Sequence, residues 1–154
     1  MIIRELKKED QDFVVFLYKN EDEEQFRRQQ EEIPNKFQEV TERKRLILIA
    51  EDNDKIVGSV QLKFLHSNPE LANGKDIVHI ESLIVAPEYR KQGIGKALMQ
   101  RAEQEARKLN FSKTTMGIKH GPTYSFLLSF YQKLGYAVLR EKEDGTATVL
   151  VKNL

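Results

Sequence analysis

The residues of this chain that most clearly predict chemistry form one short stretch, Arg90-Lys91-Gln92-Gly93-Ile94-Gly95-Lys96. An apolar run, residues 80–85, precedes it and predicts a buried strand, and a helical pattern follows it. The first N–H groups of a helix have no partner within the helix, and the helix dipole favours negative charge there. Two glycines let the backbone approach an anion closely, and Arg90 and Lys96 add positive charge. The stretch therefore predicts a cradle for a pyrophosphate group.

Two familiar phosphate-binding motifs do not fit this stretch. The P-loop requires Gly-x4-Gly-Lys-Ser/Thr, but Gly95-Lys96 is followed by Ala97 and no glycine lies five residues before Gly95. The dinucleotide-binding fingerprint requires a third glycine three residues after Gly95, where the chain has Leu98. The alternative without a ligand is a solvated basic turn that only opens a helix.

Two segments together resemble the signatures of the GNAT superfamily of N-acyltransferases. Residues 81–98 are similar to its acyl-CoA-binding motif, in which a strand, Arg/Gln-x-x-Gly-x-Gly/Ala and a helix follow one another. Arg90, Gly93 and Gly95 occupy the three defining positions. Residues 130–136, Phe-Tyr-Gln-Lys-Leu-Gly-Tyr, look like the second signature, an aromatic-Tyr-x-Lys-Leu-Gly-aromatic helix end. The resemblance implies a GNAT-like fold and an acetyltransferase that uses acetyl-CoA as cosubstrate, with no metal.

The same resemblance assigns roles around the cofactor. In this family the strand before the cradle separates from its neighbour and pairs with the pantetheine arm. The backbone N–H groups of Leu83, Ile84 and Val85 are therefore implied to bind the cofactor and the oxyanion. Two positions depart from the family pattern, because Asn-x-x-Ala is frequent in the helix before the tyrosine, and here Tyr124 and Leu127 replace its Asn and Ala. We expect these larger side chains to reshape the cleft there.

Acetyl transfer from a thioester to an amine requires a neutral amine, a donor for the oxyanion and a proton for the leaving thiolate. Tyr131 matches the tyrosine that many family members place near the CoA sulfur as general acid. A phenol with an ordinary pKa of about 10 keeps its proton at neutral pH. The alternative is a core aromatic residue whose hydroxyl makes one structural hydrogen bond.

The first candidate for the base is Glu81, since a carboxylate within an apolar strand is costly unless it is paired or used. The alternative is a structural carboxylate tied to a backbone or basic partner. His79 and His120 are further candidates, because a histidine pKa suits proton transfer, although His120 also fits a surface loop. Alternation along the strand predicts that His79, Glu81, Leu83 and Val85 share one face.

The elements that position these residues are predicted from apolar periodicity and turn residues. Predicted strands cover residues 1–6, 46–50, 56–65, 77–85, 113–118, 136–140 and 146–151. Predicted helices follow residues 8–10, occupy the charged stretch 21–44, and cover 92–109 and 123–134. Pro34 is expected to divide the charged stretch into two helices. Turns at 52–54 and 144–145 make hairpins, while the strand-helix-strand unit of residues 77–118 requires a parallel pair.

This order predicts an α/β fold in a single domain, residues 1–154, with a central mixed, mostly antiparallel sheet of about seven strands flanked by about four helices. The formal net charge of +1 argues against a nucleic-acid partner. No cysteine is present, which excludes a disulfide scaffold and a catalytic thiol. Early charges argue against a signal peptide, and no apolar run approaches the roughly 20 residues that cross a bilayer. We therefore expect a cytoplasmic protein without a membrane partner.

The expected function is transfer of an acetyl group from acetyl-CoA to a primary amine by direct attack in a ternary complex. The expected acceptor is a small molecule, and the acidic residues 21–24 could attract a cationic amine. The helix dipole explains these acidic residues equally well. The alternatives are a peptide or protein amine as acceptor, a non-catalytic acyl-CoA-binding sensor, and a regulator that binds another nucleotide. Whether the chain forms a homodimer stays open.

Overall fold

The apolar runs of the sequence form seven strands of one sheet in the computed structural model, which describes residues 1–154. The strands are β1 (Ile2–Glu5), β2 (Arg45–Asp52), β3 (Lys55–Lys63), β4 (Ile77–Val85), β5 (Lys113–Lys119), β6 (Ala137–Glu141) and β7 (Ala147–Asn153). Their order is β1-β2-β3-β4-β5-β7-β6. Only β4 and β5 are parallel, and all other neighbours are antiparallel. The predicted mixed, mostly antiparallel sheet is thereby confirmed.

The two hairpin turns follow the chemistry of their residues. Asn53 and Asp54 join β2 to β3 with φ angles of 48° and 62°. Two consecutive residues with positive φ are typical of the type I′ turn, which matches the twist of the strands it joins. The hairpin between β6 and β7 turns at Gly145, with φ of 71°. Both predicted hairpins are present.

Four helices flank the sheet: α1 (Gln11–Phe16), α2 (Glu23–Thr41), α3 (Ile94–Lys108) and α4 (Tyr124–Lys133). The prediction that Pro34 divides the charged stretch is wrong, because α2 continues through Pro34. Proline removes one backbone hydrogen bond from a helix. However, Ile33 is buried in the core and Phe37 packs against the same apolar cluster. Tertiary packing on both sides of Pro34 therefore outweighs the local preference.

The sheet separates two apolar cores. On one face, which we call the α3–α4 face, β2, β3, β4, β5 and β7 pack against α3 and α4 around Leu98, Met99 and Ala102. On the other, the α1–α2 face, Ile47 and Ile49 of β2 pack against α1 and α2. None of the helices is both long and apolar enough to cross a bilayer.

Candidate active site

Strand β4 contains a bulge at its centre, and the side chains beyond the bulge lie on the opposite face of the sheet from the one that regular alternation predicts. Between the pairs Ser59–Ile84 and Gln61–Glu81, one residue of β3 is opposed by two of β4, and the first of these two, Ser82, has φ of 57°. A non-glycine residue with positive φ is uncommon and marks a bulge or strain, often near a functional site. The backbone of β4 is therefore irregular next to the predicted cradle.

The bulge contradicts the predicted common face of His79, Glu81, Leu83 and Val85. Before the bulge, His79 and Glu81 lie on the α1–α2 face, where Glu81 contacts β2 and His79 contacts the β3–β4 loop. Beyond it, Leu83 and Val85 pack against the core of the α3–α4 face. Ile84 packs instead beside α1. The extra residue reverses the alternation, so the four side chains divide between two faces.

A gap opens between β4 and β5 beside this bulge. The two parallel strands form only three pairs, of which the last joins His79 to Thr115. Beyond it, residues 80–85 of β4 and 116–119 of β5 have no pairing across the gap. An unpaired strand edge presents N–H and C=O groups that an extended ligand can bind. Leu83, Ile84 and Val85, which the family resemblance implies as cofactor-binding residues, lie on this edge.

The cradle, residues 90–96, presents a row of free backbone donors. Lys91 and Gly93 have φ angles of 60° and 84°, and Gly93 is the N-cap of α3, so the helix begins at Ile94 and not at Gln92. None of the N–H groups of residues 91–96 donates to an acceptor within the protein. The first turn of α3 contains no acidic residue. This arrangement can bind an anion through six consecutive amides.

The side chains of the cradle differ in what they can contribute. Those of Lys91, Gln92 and Lys96 are exposed. Ile94 is buried in the core of the α3–α4 face, so only its amide is available to a ligand. Arg90 donates to the carbonyl of Val85 at 2.9 Å and to Glu21, in the segment before α2, at 3.2 Å.

Gly95 lies between the cradle and the aromatic residues of α4. A Cβ placed on it would lie 3.7 Å from the Phe130 ring and 3.9 Å from Leu83 and Val85. These are ordinary contact distances, so the protein itself leaves room for a methyl group here. The room beside Gly95 is therefore available to a ligand.

Tyr131 of α4 lies in the same core, and its side chain is nearly enclosed. Its ring packs edge-on against Phe130 and Tyr136, with centroids 5.0 and 6.0 Å apart. Its hydroxyl makes no hydrogen bond within the protein, and Tyr131 is 7% exposed. Burial raises the pKa of the phenol to about 12, so the hydroxyl stays protonated at neutral pH.

Glu81 is held by Arg45, which the sequence analysis did not identify. The buried Arg45 donates to Glu81 Oε1 at 2.5 Å, to Gln61 Oε1 at 2.8 Å and to Glu39 of α2 at 2.7 Å. Burial opposes ionisation of Glu81, but the hydrogen bond and charge of Arg45 outweigh it, so the pKa lies below its usual value. Glu81 is thus a carboxylate tied to a basic partner and ionised at neutral pH. Its other oxygen, Oε2, has no partner within the protein.

His79 is almost fully buried on the same face as Glu81. Its Nδ1 lies 2.9 Å from Thr115 Oγ1 and its ring contacts His66 edge-on at 5.6 Å. Burial lowers the pKa of His79 to about 4, although the charge of Glu81 acts in the opposite direction. The imidazole is therefore neutral at physiological pH.

His120 belongs to a different network. Its Nε2 lies 2.9 Å from Glu141 and 3.0 Å from Thr148, and its ring packs edge-on against Tyr124. Tyr124 in turn shares a 2.7 Å hydrogen bond with Thr148. The structure thus joins His120 to α4 and the β6–β7 hairpin and does not bring it to Glu81.

Together these groups suit transfer between two substrates bound on opposite faces of β4. The cradle and Gly95 offer an anion site on the α3–α4 face, and Tyr131 offers a protonated phenol there. Glu81 and His79 offer a carboxylate and a neutral imidazole on the α1–α2 face. Sequence signals for the missed residues were weak, because Arg45 is one cation at the end of an apolar strand and Thr115 is an ordinary strand residue.

A family model described as the acetyltransferase (GNAT) family matches residues 6–136 of the chain. Among curated proteins, no sequence matches it.

Several solved structures share the fold. The PaiA N-acetyltransferase from Thermoplasma acidophilum in complex with coenzyme A is 22% identical, with a TM-score of 0.77 over 99% of this chain and 98% of that one. An aminoglycoside 6'-N-acetyltransferase complexed with coenzyme A is 18% identical, with a TM-score of 0.71 over 99% and 97%. The ribosomal-protein-alanine N-acetyltransferase from Brucella melitensis is 18% identical, with a TM-score of 0.75 over 100% of both chains.

Proposed function

Because the chain belongs to the acetyltransferase (GNAT) family, we propose that it transfers the acetyl group of acetyl-CoA to the primary amine of a small molecule. The protein is an acetyltransferase with acetyl-CoA as cosubstrate, and the acceptor and the roles of single residues are what we add. The observation that carries the proposal is the row of six amides, residues 91–96, without acceptors beside the unpaired edge of β4.

The cradle would bind the diphosphate of the cosubstrate through these amides, with added charge from Arg90 and Lys96. Arg90 already contacts Glu21, so it would exchange this carboxylate for a phosphate. The pair is exposed, and such pairs contribute about 1 kcal/mol or less. The exchange therefore costs little.

Three groups would act at the reacting atoms. The amine nitrogen attacks the thioester carbonyl carbon, and the backbone N–H groups of Leu83 to Val85 stabilise the oxyanion from the open edge of β4. Tyr131 donates its proton to the leaving thiolate, since its hydroxyl is protonated and has no competing partner. Glu81 attracts and orients the amine through its free oxygen, because it remains ionised beside Arg45.

The loop between β3 and β4, residues 64–76, favours a small acceptor. It lies against the α1–α2 face, where Leu71 accepts a hydrogen bond from Thr115 and His66 contacts His79. It is also joined to β6 by an ion pair between Glu70 and Arg140 at 3.1 Å. A covered face leaves less access for a folded protein than for a small amine.

The similar structures give two precedents for the acceptor. One is named an aminoglycoside 6'-N-acetyltransferase, which acts on a small molecule, and another a ribosomal-protein-alanine N-acetyltransferase. The covered α1–α2 face supports the first class.

Release of CoA thiol from acetyl-CoA, measured with a panel of amines, tests the proposal. The panel holds polyamines, amino acids, amino sugars, aminoglycosides and short peptides with free N-termini or lysines. We expect at least one small amine to be turned over faster than any peptide. Turnover of peptides alone would show that the acceptor is a peptide or protein amine. Tight binding of acetyl-CoA without release on any amine would show a sensor and contradict the proposal.

A further inference from the structure

The hydrogen bonds around His79 determine which of its ring nitrogens carries the hydrogen. Thr115 Oγ1 lies 2.6 Å from the carbonyl oxygen of Leu71, so the single hydroxyl hydrogen of Thr115 is donated there. Thr115 Oγ1 then faces His79 Nδ1 at 2.9 Å as an acceptor, which requires a hydrogen on Nδ1. A neutral imidazole has one N–H. This network therefore assigns the lone pair of His79 to Nε2.

The surroundings of His79 keep that lone pair free. The residue is 9% exposed, and the ring's hydrogen bond within the protein is made by Nδ1 and not by Nε2. The charged and titratable groups that face it are Lys63 of β3, Arg45 of β2, Glu81 of β4 and His66 of the β3–β4 loop. Burial disfavours the imidazolium, the cations and His66 add to this, and only Glu81 opposes it. Above about pH 5, His79 stays neutral.

His79 itself lies at the edge of the gap. The pair between His79 and Thr115 is the last before β4 and β5 separate. Glu81, two residues further along the strand and before the bulge, lies on the same face. A carboxylate for the amine and a neutral base for its proton thus stand side by side.

On the basis of the proposed function, we propose that His79 Nε2 accepts the amine proton and that Thr115, tied to the Leu71 carbonyl, is the positioning residue that fixes its tautomer. As the C–N bond forms, the carbonyl π electrons move to the oxygen. The proton of the adduct nitrogen passes to Nε2. Collapse of the oxyanion breaks the C–S bond, and the thiolate takes the proton of Tyr131. Solvent then removes the proton from His79 and restores that of Tyr131.

The neutral form of the imidazole suits this step. An acceptor that arrives as an ammonium ion first loses one proton to solvent, because only the neutral amine can attack, and His79 itself stays unprotonated meanwhile. Once the C–N bond has formed, the nitrogen is cationic and bound to a carbon that carries oxygen and sulfur, which makes it more acidic than a free ammonium. Glu81 is less suited, because one of its oxygens is engaged by Arg45 and its charge is needed to attract the amine.

Three variants test the proposal in the complete chain. His79→Asn keeps an N–H for Thr115 and removes the proton acceptor, and we expect kcat to fall about 10- to 100-fold while the KM for acetyl-CoA stays unchanged. Thr115→Val loses both hydrogen bonds and should lose most of the rate, whereas Thr115→Ser keeps the hydroxyl and should recover it. Glu81→Gln should raise the KM for the amine more than it lowers kcat.

A measurement independent of turnover reads the tautomer directly. Nitrogen NMR of chain labelled with nitrogen-15 histidine should show His79 protonated at Nδ1 and bare at Nε2, with the preference lost in Thr115→Val. Thermal unfolding and CoA affinity show whether each variant is folded.

Two results would overturn the proposal while leaving acetyl transfer intact. One is a His79→Asn enzyme that is as fast as the wild type, or whose loss of rate is no larger than that of His120→Asn, the variant that removes the rival base. The other is a hydrogen found on Nε2. A wild-type chain that turns over no amine would instead refute the proposed function, and the NMR result would still report the tautomer.

Discussion

At the scale of single residues, substitutions of Gly95 can distinguish an effect on CoA binding from an effect on stability. A Cβ at this position meets the protein only at ordinary contact distances, and Gly95 has no positive φ. We therefore expect Gly95→Ala to keep or raise thermal stability, since alanine favours helix over glycine by about 1 kcal/mol. Gly95→Glu should reduce CoA affinity by about 100-fold or more, because its side chain and like charge enter the site of the diphosphate.

Isothermal titration with CoA, together with thermal unfolding, measures both effects. Gly95→Ala is the matched control, because it tests the same position without charge or bulk. Ordinary CoA affinity in a folded Gly95→Glu chain would place the diphosphate elsewhere.

Tyr131 tests the leaving-group step at the same scale. Tyr131→Phe removes a hydroxyl without a partner in the protein, so we expect stability to change little. The rate should fall about 10- to 100-fold in kcat with less effect on CoA binding, since the proton for the thiolate is lost. Steady-state kinetics with the acceptor from the amine panel give both values.

Tyr136→Phe is the control for removal of a buried phenol. The hydroxyl of Tyr136 donates to Glu103 at 3.2 Å and accepts from Thr114 at 3.1 Å. Its loss should lower the free energy of unfolding by about 1–2 kcal/mol and leave kcat within about twofold. Equal rates for Tyr131→Phe and the wild type would remove Tyr131 from the mechanism.

At the scale of elements, an ion pair fastens the first helix to the edge of the sheet. Arg4 of β1 donates to both oxygens of Asp10, at 2.7 and 3.1 Å, and also binds Glu51 of β2. The backbone N–H of Lys7 donates to Asp10 as well, at 2.7 Å. The hydrogen bond from Arg4 is the largest cause that lowers the pKa of this nearly buried carboxyl. The contact orders the segment that enters α1.

This ion pair predicts a stability that depends on pH. Because the pKa of Asp10 is lowered on folding, its contribution is complete above the unfolded value near 4 and declines as pH falls through the folded value. Asp10→Asn should lower the free energy of unfolding by about 1–3 kcal/mol at pH 7, and this difference should shrink below pH 4. Urea unfolding across this range measures it.

Asp12→Asn, two residues along the chain, is the matched control because Asp12 is exposed and makes no ion pair. Its effect should stay within about 0.5 kcal/mol at every pH. A loss of stability in Asp10→Asn that stays constant down to pH 3 would contradict the assigned ion pair.

At the scale of the whole molecule, the sequence predicts what depends on neighbours in the chain. The turn at Asn53 and Asp54 and the cradle after β4 follow from short patterns, and both are present. Pro34 inside α2 could not be predicted, because contacts with the sheet outweigh its local preference. Nor could the bulge at Ser82, since serine does not specify positive φ and the extra residue shows only in pairing with β3.

The same limit applies to the site. Two motifs locate the cradle and Tyr131, because their residues lie close together in the chain. The Arg45 contact with Glu81 joins residues 36 positions apart, and so does the contact between His79 and Thr115. Such pairs depend on strand order and register, which no local pattern specifies. The face of each β4 side chain likewise depends on a bulge that only the three-dimensional structure reveals.

The arrangement of the two faces predicts the kinetic order of the whole enzyme. The cradle, Leu83 and Val85 lie on the α3–α4 face, while Glu81 and His79 lie on the α1–α2 face, and the gap between β4 and β5 connects the two sides. Two substrates can therefore be bound at once, and the chain contains no cysteine to carry an acetyl group between them. We expect direct transfer in a ternary complex.

Initial rates measured over a grid of acetyl-CoA and amine concentrations should give intersecting double-reciprocal lines. Mass spectrometry of the intact chain after incubation with acetyl-CoA alone should show no stable acetylated form at the active site. Tyr131→Phe should keep the intersecting pattern at a lower rate, because it changes the leaving-group step and not the order of binding. Parallel lines, together with an acetylated residue that passes its acetyl group to added amine, would instead require a covalent intermediate. Direct attack across the gap would then be wrong even though the family and the fold stand.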